Sequence, residues 1–180
     1  RKGKDYRESY SANKSLGGGV ILDLSHELDY LRWLLGEAAG VFCLSKKLTS
    51  LEINTEDIAE ILLQLDSGAI AEVHLDYIQR FPNRSCEIIG ENGIIKWNSN
   101  EKTVKWFSAK SGKWKIFREN KNFDKNDTYI DEIKHFIKCI VKGEKPIVNE
   151  IDGKKVLEVA LAAKKSSQTG KLIRLSHNSV

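Results

Sequence analysis

Leucines recur at helical spacing near the start of the chain. They stand at i, i+4, i+7 and i+11, the apolar stripe of an amphipathic helix, and they are Leu24, Leu28, Leu31 and Leu35. This pattern predicts a helix from Asp23 to Leu35, with Gly36 as its stop. At about 100° per residue, a second stripe lies roughly opposite the leucines. It consists of Asp23, His26, Tyr30 and Trp33. The helix would therefore bury its leucines and present an acid, an imidazole and two aromatic rings elsewhere.

After Gly36 the apolar spacing changes from helical to alternating, which is typical of strands. It predicts strands at 41–47, 57–65 and 69–77, the last two joined by a hairpin turn at 66–68. The apolar face of the first of these two carries Ala59, Ile61, Leu63 and Leu65, and that of the second carries Ala69, Ala71, Val73, Leu75 and Tyr77. Two more hairpins are predicted, one joining 85–90 to 94–98 and one joining 103–108 to 113–118.

The remaining segments complete the predicted fold. Residues 1–16 are polar and aperiodic, which indicates a loop. Asp127 or Thr128 is predicted to cap a helix that ends at Gly143, and a second helix runs from Asp152 to about Ser167, before Gly170. A strand at 171–175 and a frayed tail with His177 follow. Consecutive strands with helices at the ends, and no βαβ repeat, predict an α+β fold: a mostly antiparallel, open-faced sheet with helices packed on one face.

Composition and charge limit the classes of function. The 180 residues are 41% hydrophobic and 30% charged, which fits a single ordinary globular domain spanning 1–180. Net charge is +4, too weak and too dispersed to indicate a nucleic-acid surface. The three cysteines form no C-x-x-C pair and suit a reducing cytoplasm. No apolar run predicts a membrane span, and we expect no metal. The absence of methionine fits a fragment of something longer.

Charged side chains gather on the polar face of the predicted sheet. They are Glu60, Glu72, His74 and Asp76. Residues at i, i+2 and i+4 of a strand point the same way, so these groups are compatible with a metal or acid/base site. They are also compatible with a solvated or subunit-facing sheet surface. We favour the surface interpretation.

Three glycines precede the first predicted helix. Gly17, Gly18 and Gly19 permit positive φ values and close approach of another group. Exposed amides in the first turn of a helix favour an anionic or hydroxyl-rich ligand. The segment lacks the G-x-G-x-x-G spacing of a dinucleotide fingerprint, so the glycines alone are weak evidence.

These motifs together resemble the C-terminal domain of the Gfo/Idh/MocA oxidoreductases, the glucose-fructose oxidoreductase and inositol dehydrogenase family. The resemblance rests on the G-G-G segment followed by an Asp, a His, an Asp and a W-L-x-G ending, at Gly17, Gly18, Gly19, Asp23, His26, Asp29, Trp33, Leu34 and Gly36. It returns at 146–175, where a closing helix and strand carry S-x-x-T-G-K. One departure is clear: Asp23 and His26 are three residues apart, whereas the family spacing is four.

The resemblance implies the substrate-binding and oligomerisation domain of an NAD(P)-dependent oxidoreductase acting on a sugar, polyol or nucleotide sugar. The family's N-terminal Rossmann domain is absent from this chain, so we expect no activity from these residues alone. NAD or NADP would be held mainly by that missing domain. His26 fits the proton transfer that accompanies hydride transfer, because its unperturbed pKa is about 6.5. Asp23 would orient the substrate hydroxyl, raise the basicity of His26 or simply pair with it.

Substrate contacts are predicted from the same comparison. Gly18 and Gly19 border the expected cleft, and the family segment equivalent to 1–16 runs past the active site, which suggests Tyr10 and Lys14. Arg80 and Arg84 flank Pro82 and would fork onto a carboxylate or phosphate if the substrate is acidic or nucleotide-linked. For all four side chains an ordinary loop position remains an alternative.

Two other functions stay open. A non-catalytic ligand-binding or dimerisation module would use the open sheet face, as family members do for oligomer contacts, and His26 would then be a structural histidine. A nucleic-acid binder would gather lysines on one surface with Trp97, Trp106 and Trp114. We favour the enzyme domain, with a sugar-like substrate, its own Rossmann domain and a second copy of itself as partners, and with no nucleic acid or membrane.

Overall fold

A computed structural model describes residues 5–120 and 122–176, so the predictions for residues 1–4 and for the tail at His177 lie outside the described residues. The chain divides into two compact units. The first contains residues 5–78 and 148–176, and the second contains residues 79–120 and 122–147. The helices and the antiparallel sheets confirm the predicted α+β class. The described strands form two four-stranded sheets, one in each unit.

The sheet of the first unit has the strand order β3-β2-β1-β8 and is antiparallel throughout. Its strands are β1 (Ala38–Lys46), β2 (Ile58–Leu65), β3 (Ile70–Asp76) and β8 (Ile173–Arg174). Alternation puts one face of β2 and β3 into the core, because successive side chains of a strand point to opposite faces. Seven of the predicted positions are buried, at Ala59, Ile61, Leu63, Leu65, Ala71, Val73 and Leu75. The prediction is wrong for Ala69, which lies before β3 and is exposed, and Tyr77, which follows β3, is only half-buried.

Three helices cover that buried face: α1 (Val20–Asp23), α2 (His26–Leu35) and α4 (Glu150–Thr169). The predicted continuous helix from Asp23 is wrong. Helix α1 ends at Asp23, and the amides of Ser25, Glu27 and Leu28 bond three residues back rather than four, a tight turn that separates α1 from α2. The leucine stripe is confirmed, because Leu28 and Leu31 are buried in the core.

The second unit is a meander with the strand order β4-β5-β6-β7 and one helix. Its elements are β4 (Ser85–Gly90), β5 (Gly93–Asn98), β6 (Thr103–Ser108), β7 (Lys113–Arg118) and α3 (Lys125–Lys142). Consecutive strands pair as antiparallel neighbours, so both predicted hairpins are confirmed.

Helix boundaries differ from prediction at their starts. Asp124 caps α3, not Asp127 or Thr128, and Asn149 caps α4 upstream of Asp152. In both, the cap side chain accepts from a first-turn amide while an aspartate three residues later accepts from the cap amide, a capping box. The predicted ends are confirmed: Gly143 and Gly170 take the left-handed conformation that closes a helix.

Candidate functional site

The segment before α1 is a chain of three short 3-10 turns rather than an irregular loop. They span Tyr6–Glu8, Tyr10–Ala12 and Lys14–Leu16. The side chains of Asp5, Ser9 and Asn13 cap them in succession by accepting a backbone N–H. Ser9 and Asn13 each end one turn and cap the next, so the three turns are linked and the backbone of Tyr10 is fixed.

The glycine segment is occupied by the chain itself. Gly18 N–H donates to the carbonyl of Asn13, Gly19 N–H to that of Ser11, and Val20 N–H to that of Glu56. The expectation that amides at this helix start are open to a ligand is therefore wrong for these three, because the folded turns use them. Contact of the substrate with Gly18 and Gly19 stays a prediction.

Gly18 is required by close packing against backbone, and Gly19 is required by its positive φ. A Cβ on Gly18 would lie 2.3 Å from the carbonyl oxygen of Tyr10. Gly19 has φ of 111°, and its Cβ would lie 2.2 Å from Oε1 of Glu56. The carboxylate of Glu56 thus packs against the backbone of Gly19, with the ammonium of Lys164 3.4 Å away. An acid and a base from distant parts of the sequence meet at the start of α1.

Asp23 is held by two tyrosine hydroxyls. Tyr10 donates a short hydrogen bond to Oδ1 of Asp23. Tyr77, the residue after β3, donates to Oδ2 over 3.2 Å. Burial raises the pKa of Tyr77, and the negative charge of Asp23 raises it further. Tyr77 therefore stays protonated and remains a hydrogen-bond donor to this carboxylate at physiological pH.

His26 makes a separate contact. Its Nε2 lies 3.0 Å from Oε1 of Glu27, and 52% of its side chain is exposed. Within the described residues no hydrogen bond or ion pair joins His26 to Asp23, so the pairing considered from the sequence is not formed. The exposed imidazole is accessible to a ligand, and its catalytic role stays a prediction.

The remaining predicted contacts are spread over both units. Lys14 is exposed in the third 3-10 turn, and its backbone N–H donates to Oδ1 of Asn54 over 2.6 Å. Arg80 and Arg84 belong to the second unit and are exposed. The guanidinium of Arg84 lies over the ring of Trp97, 5.3 Å from its centroid, an arrangement typical of a cation–π contact. Their binding roles also stay predictions.

The charged outer face of the first sheet forms a cross-strand bridge. Nδ1 of His74 lies 2.6 Å from Glu60 and Nε2 lies 2.9 Å from Asp76. Hydrogen bonding to Glu60 raises the pKa of His74. In residues 5–120 and 122–176 no group of three or more His, Cys, Asp or Glu side chains is arranged to hold a metal ion. Nor does any helix of that part of the chain have the length and apolarity to cross a bilayer.

A sequence model of the oxidoreductase family's C-terminal alpha/beta domain matches residues 1–175. The chain belongs to the Gfo/Idh/MocA oxidoreductase family. Two curated relatives agree with this assignment. The myo-inositol 2-dehydrogenase of Thermotoga maritima is 30% identical over 172 residues, 89% of this chain and 50% of that enzyme. The scyllo-inositol 2-dehydrogenase (NAD+) of Bacillus subtilis is 30% identical over 165 residues, 88% of this chain and 48% of that enzyme.

Solved structures share the fold of this chain. Levoglucosan dehydrogenase in complex with NADH and levoglucosan matches with a TM-score of 0.84 at 19% identity, over 94% of this chain and 54% of that one. The aldose-aldose oxidoreductase of Caulobacter crescentus, complexed with glycerol, matches with a TM-score of 0.78 at 25% identity, over 96% and 52%. This chain spans about half the length of the curated relatives it matches.

Sequence reasoning missed three residues around the family motif. Tyr77 is an ordinary strand-end aromatic in the alternating pattern, Glu56 precedes a buried strand, and Lys164 lies in a helix rich in lysine. Only the glycines gave a signal, since three in succession indicate that something approaches the backbone closely. They did not tell which residue approaches, because Glu56 comes from 37 positions further along the chain.

Proposed function

We propose that this chain is the substrate-binding C-terminal domain of an NAD(P)-dependent oxidoreductase that acts on a hydroxyl of a sugar, polyol or nucleotide sugar by hydride transfer. The observation that carries the proposal is Asp23 held between two tyrosine hydroxyls at the family's Asp-His motif. The inositol dehydrogenases among its relatives support it. A site that selects a hydroxyl-rich substrate needs hydrogen-bond acceptors and donors of this kind, because it discriminates between substrates by hydrogen bonding to their hydroxyls.

The described residues do not fit a nicotinamide site. Residues 5–120 and 122–176 form antiparallel sheets and no strand, glycine loop and helix unit of the kind that binds a dinucleotide pyrophosphate. We therefore assign NAD or NADP mainly to an N-terminal Rossmann domain, which would be this chain's first partner and would supply the hydride chemistry. The residues of this chain bind and orient the substrate and move its hydroxyl proton.

His26 is the proposed proton acceptor at the substrate oxygen. Its imidazole is exposed, and histidine is the side chain that most often transfers protons in catalysis. Asp23 has both carboxylate oxygens hydrogen-bonded and would accept from the substrate hydroxyl and orient it. Gly18, Gly19, Tyr10 and Lys14 would border the substrate. Arg80 and Arg84 would contribute if it is acidic.

A test joins the chain to its natural upstream sequence and follows nicotinamide absorbance with myo-inositol, scyllo-inositol, levoglucosan and a set of nucleotide sugars. The His26→Ala variant should lose more than tenfold in kcat, which corresponds to about 1.4 kcal/mol of barrier. The matched control is His74→Gln, since His74 lies on the outer sheet face, and it should keep wild-type turnover. The catalytic assignment fails if His26→Ala loses less than tenfold.

A second candidate is a non-catalytic ligand-binding or dimerisation module. The short Asp23 to His26 spacing and the separate contacts of the two side chains favour it. It would associate with a second copy through the outer face of the first sheet, where Leu44, Leu62 and Ile70 are exposed. Nicotinamide binding by the full-length protein, without turnover of any member of the panel, would favour this candidate over the enzyme domain. In either case we propose a cytoplasmic location.

A further inference from the structure

The two tyrosines that meet at Asp23 come from separate parts of the first unit. Tyr10 lies 13 residues before Asp23 in the sequence, and Tyr77 lies 54 residues after it. Each hydroxyl bonds a different carboxylate oxygen. A carboxylate bonded at one oxygen retains rotation about its side-chain torsions, whereas one bonded at both by donors from different elements has a single orientation.

Both donors are anchored by contacts of their own. The N–H of Tyr77 donates to the carbonyl of Asp57 over 3.0 Å. Asp57 is fully buried, and its carboxylate accepts from the N–H groups of Leu48 and Thr49 and from the Thr49 hydroxyl. Tyr77 therefore extends from a rigid corner of the sheet and is itself half-buried.

Tyr10 is fixed in a different way. Its carbonyl accepts from the N–H of Asn13, which closes the second 3-10 turn, and Gly18 packs against that carbonyl so closely that a Cβ would lie 2.3 Å away. Gly18 thus supports the backbone of Tyr10. Its close packing connects one of the family's three glycines to the orientation of Asp23 through this tyrosine.

We propose that Tyr77 and Tyr10 are positioning residues that orient the Asp23 carboxylate as an acceptor for a substrate hydroxyl. The inference rests on the proposed function and adds to it a division of labour: Asp23 orients and His26 moves the proton. A carboxylate has about four lone-pair sites, and the tyrosines use two of them. The other two are available to the substrate, in a direction that the tyrosines set. Positioning of this kind lowers the reaction barrier, since small errors in orientation cost large factors in rate.

A spectroscopic test needs no substrate. The protein is labelled with 13C at tyrosine Cζ, and the five tyrosine signals are followed from pH 7 to 12 in the wild type and in Asp23→Asn. The Tyr77 signal should resist ionisation in the wild type and titrate at lower pH in Asp23→Asn, because a nearby negative charge has been removed. A Tyr77 titration that is unchanged in Asp23→Asn would overturn the inference, whatever the enzyme's activity.

A kinetic test uses the full-length protein and myo-inositol, or whichever member of the panel is turned over. Tyr77→Phe should lower kcat about tenfold with nicotinamide binding unchanged, and Tyr129→Phe should have no effect. In the Asp23→Asn background the same Tyr77→Phe change should cost less than twofold, because nothing remains to position. A tenfold loss in both backgrounds would mean that Tyr77 acts independently of Asp23, and the positioning role would be rejected.

Discussion

The two units of this chain are built from the same kind of sheet but differ in what the sheet buries. The first unit encloses a continuous apolar core between β1, β2 and β3 and its helices. Among the described residues of the second unit, only Thr103 and Cys139 are buried. Antiparallel strand pairing extends along the strands of both. Hydrogen-bonded pairing therefore defines the sheet, while burial of apolar area, the dominant favourable contribution to folding, distinguishes a stable unit from a weak one.

The second sheet shows apolar side chains on both faces. Register places Ile95 and Trp106 side by side on one face, and Phe107 and Trp114 on the other, with ring centroids 5.3 Å apart. The helix α3 adds an unpacked apolar stripe of Ile133, Phe136, Ile137, Ile140 and Val141. By itself this unit leaves much of its apolar area in water, so we expect its stability to be much lower than that of the first unit.

Removing core volume should produce the largest difference between the units. Leu63 is fully buried in β2, and Leu63→Ala should lower the free energy of unfolding of the first unit by about 2–5 kcal/mol, because a cavity replaces packed side-chain atoms. The measurement is hydrogen exchange of β1–β3 peptides at increasing urea.

The matched change lies on the second sheet. Ile95 is 41% exposed in β5, so Ile95→Ala should lower protection of the β4–β7 peptides by less than about 1 kcal/mol. Equal losses from Leu63→Ala and Ile95→Ala would mean that the second sheet has a core of its own, and the contrast between the units would be wrong.

The local sequence pattern predicted the strands of both units well. It could not predict the difference in apolar burial between the two sheets. Alternation placed Ala71, Val73 and Leu75 on a buried face, which the structure confirms. The same alternation around Ile95 and Trp106 gave no sign that their face would stay open. A period of two fixes which side chains share a face, but what covers that face is decided by elements far away in sequence.

The candidate site follows the same rule. The sequence motif identified Asp23 and the glycines before it as candidate site residues. Tyr77, the partner of Asp23, was not identified, because a contact across 54 residues has no local signature. The break after Asp23 was missed as well, since Leu24 continues the leucine period straight through the tight turn. The start of α4 was also predicted too late: Asn149 and Asp152 form a capping box, whereas the prediction began the helix at the aspartate.

Ion pairs should contribute less than core packing does to the difference in stability between the two units. In the first unit, Glu37 accepts from the guanidinium of Arg32 over 2.8 and 2.9 Å and from Lys155 over 2.9 Å. The Arg32 hydrogen bonds lower the pKa of Glu37 to about 2. The stabilisation is present above the ordinary pKa of about 4.5 and is lost as pH falls through the folded value, so Glu37→Gln should flatten the decline in unfolding free energy between pH 4.5 and 2, by roughly 1–3 kcal/mol.

The control for Glu37 is Glu101 in the second unit. Lys105 lowers the pKa of Glu101 by a hydrogen bond, but this pair lies on the surface and is screened by solvent. Denaturation curves of Glu101→Gln from pH 5 to 2 should overlay those of the wild type. A pH dependence as steep as that of Glu37 would show that exposed pairs contribute here as much as shielded ones.

The smallest effect is expected at His74, a surface residue of the stable unit. Glu60 and Asp76 hold both ring nitrogens, and the Glu60 hydrogen bond raises the pKa of His74. The bridge therefore stabilises the fold fully below the ordinary pKa of about 6.5 and loses its effect as pH rises through the raised folded value. Because 45% of the side chain is exposed, screening leaves only a few tenths of a kcal/mol. Urea midpoints of wild type and His74→Gln should differ slightly at pH 6 and converge by pH 9. A large gap at pH 6 would mean that surface charge, and not the buried core alone, sets the first unit apart from the second.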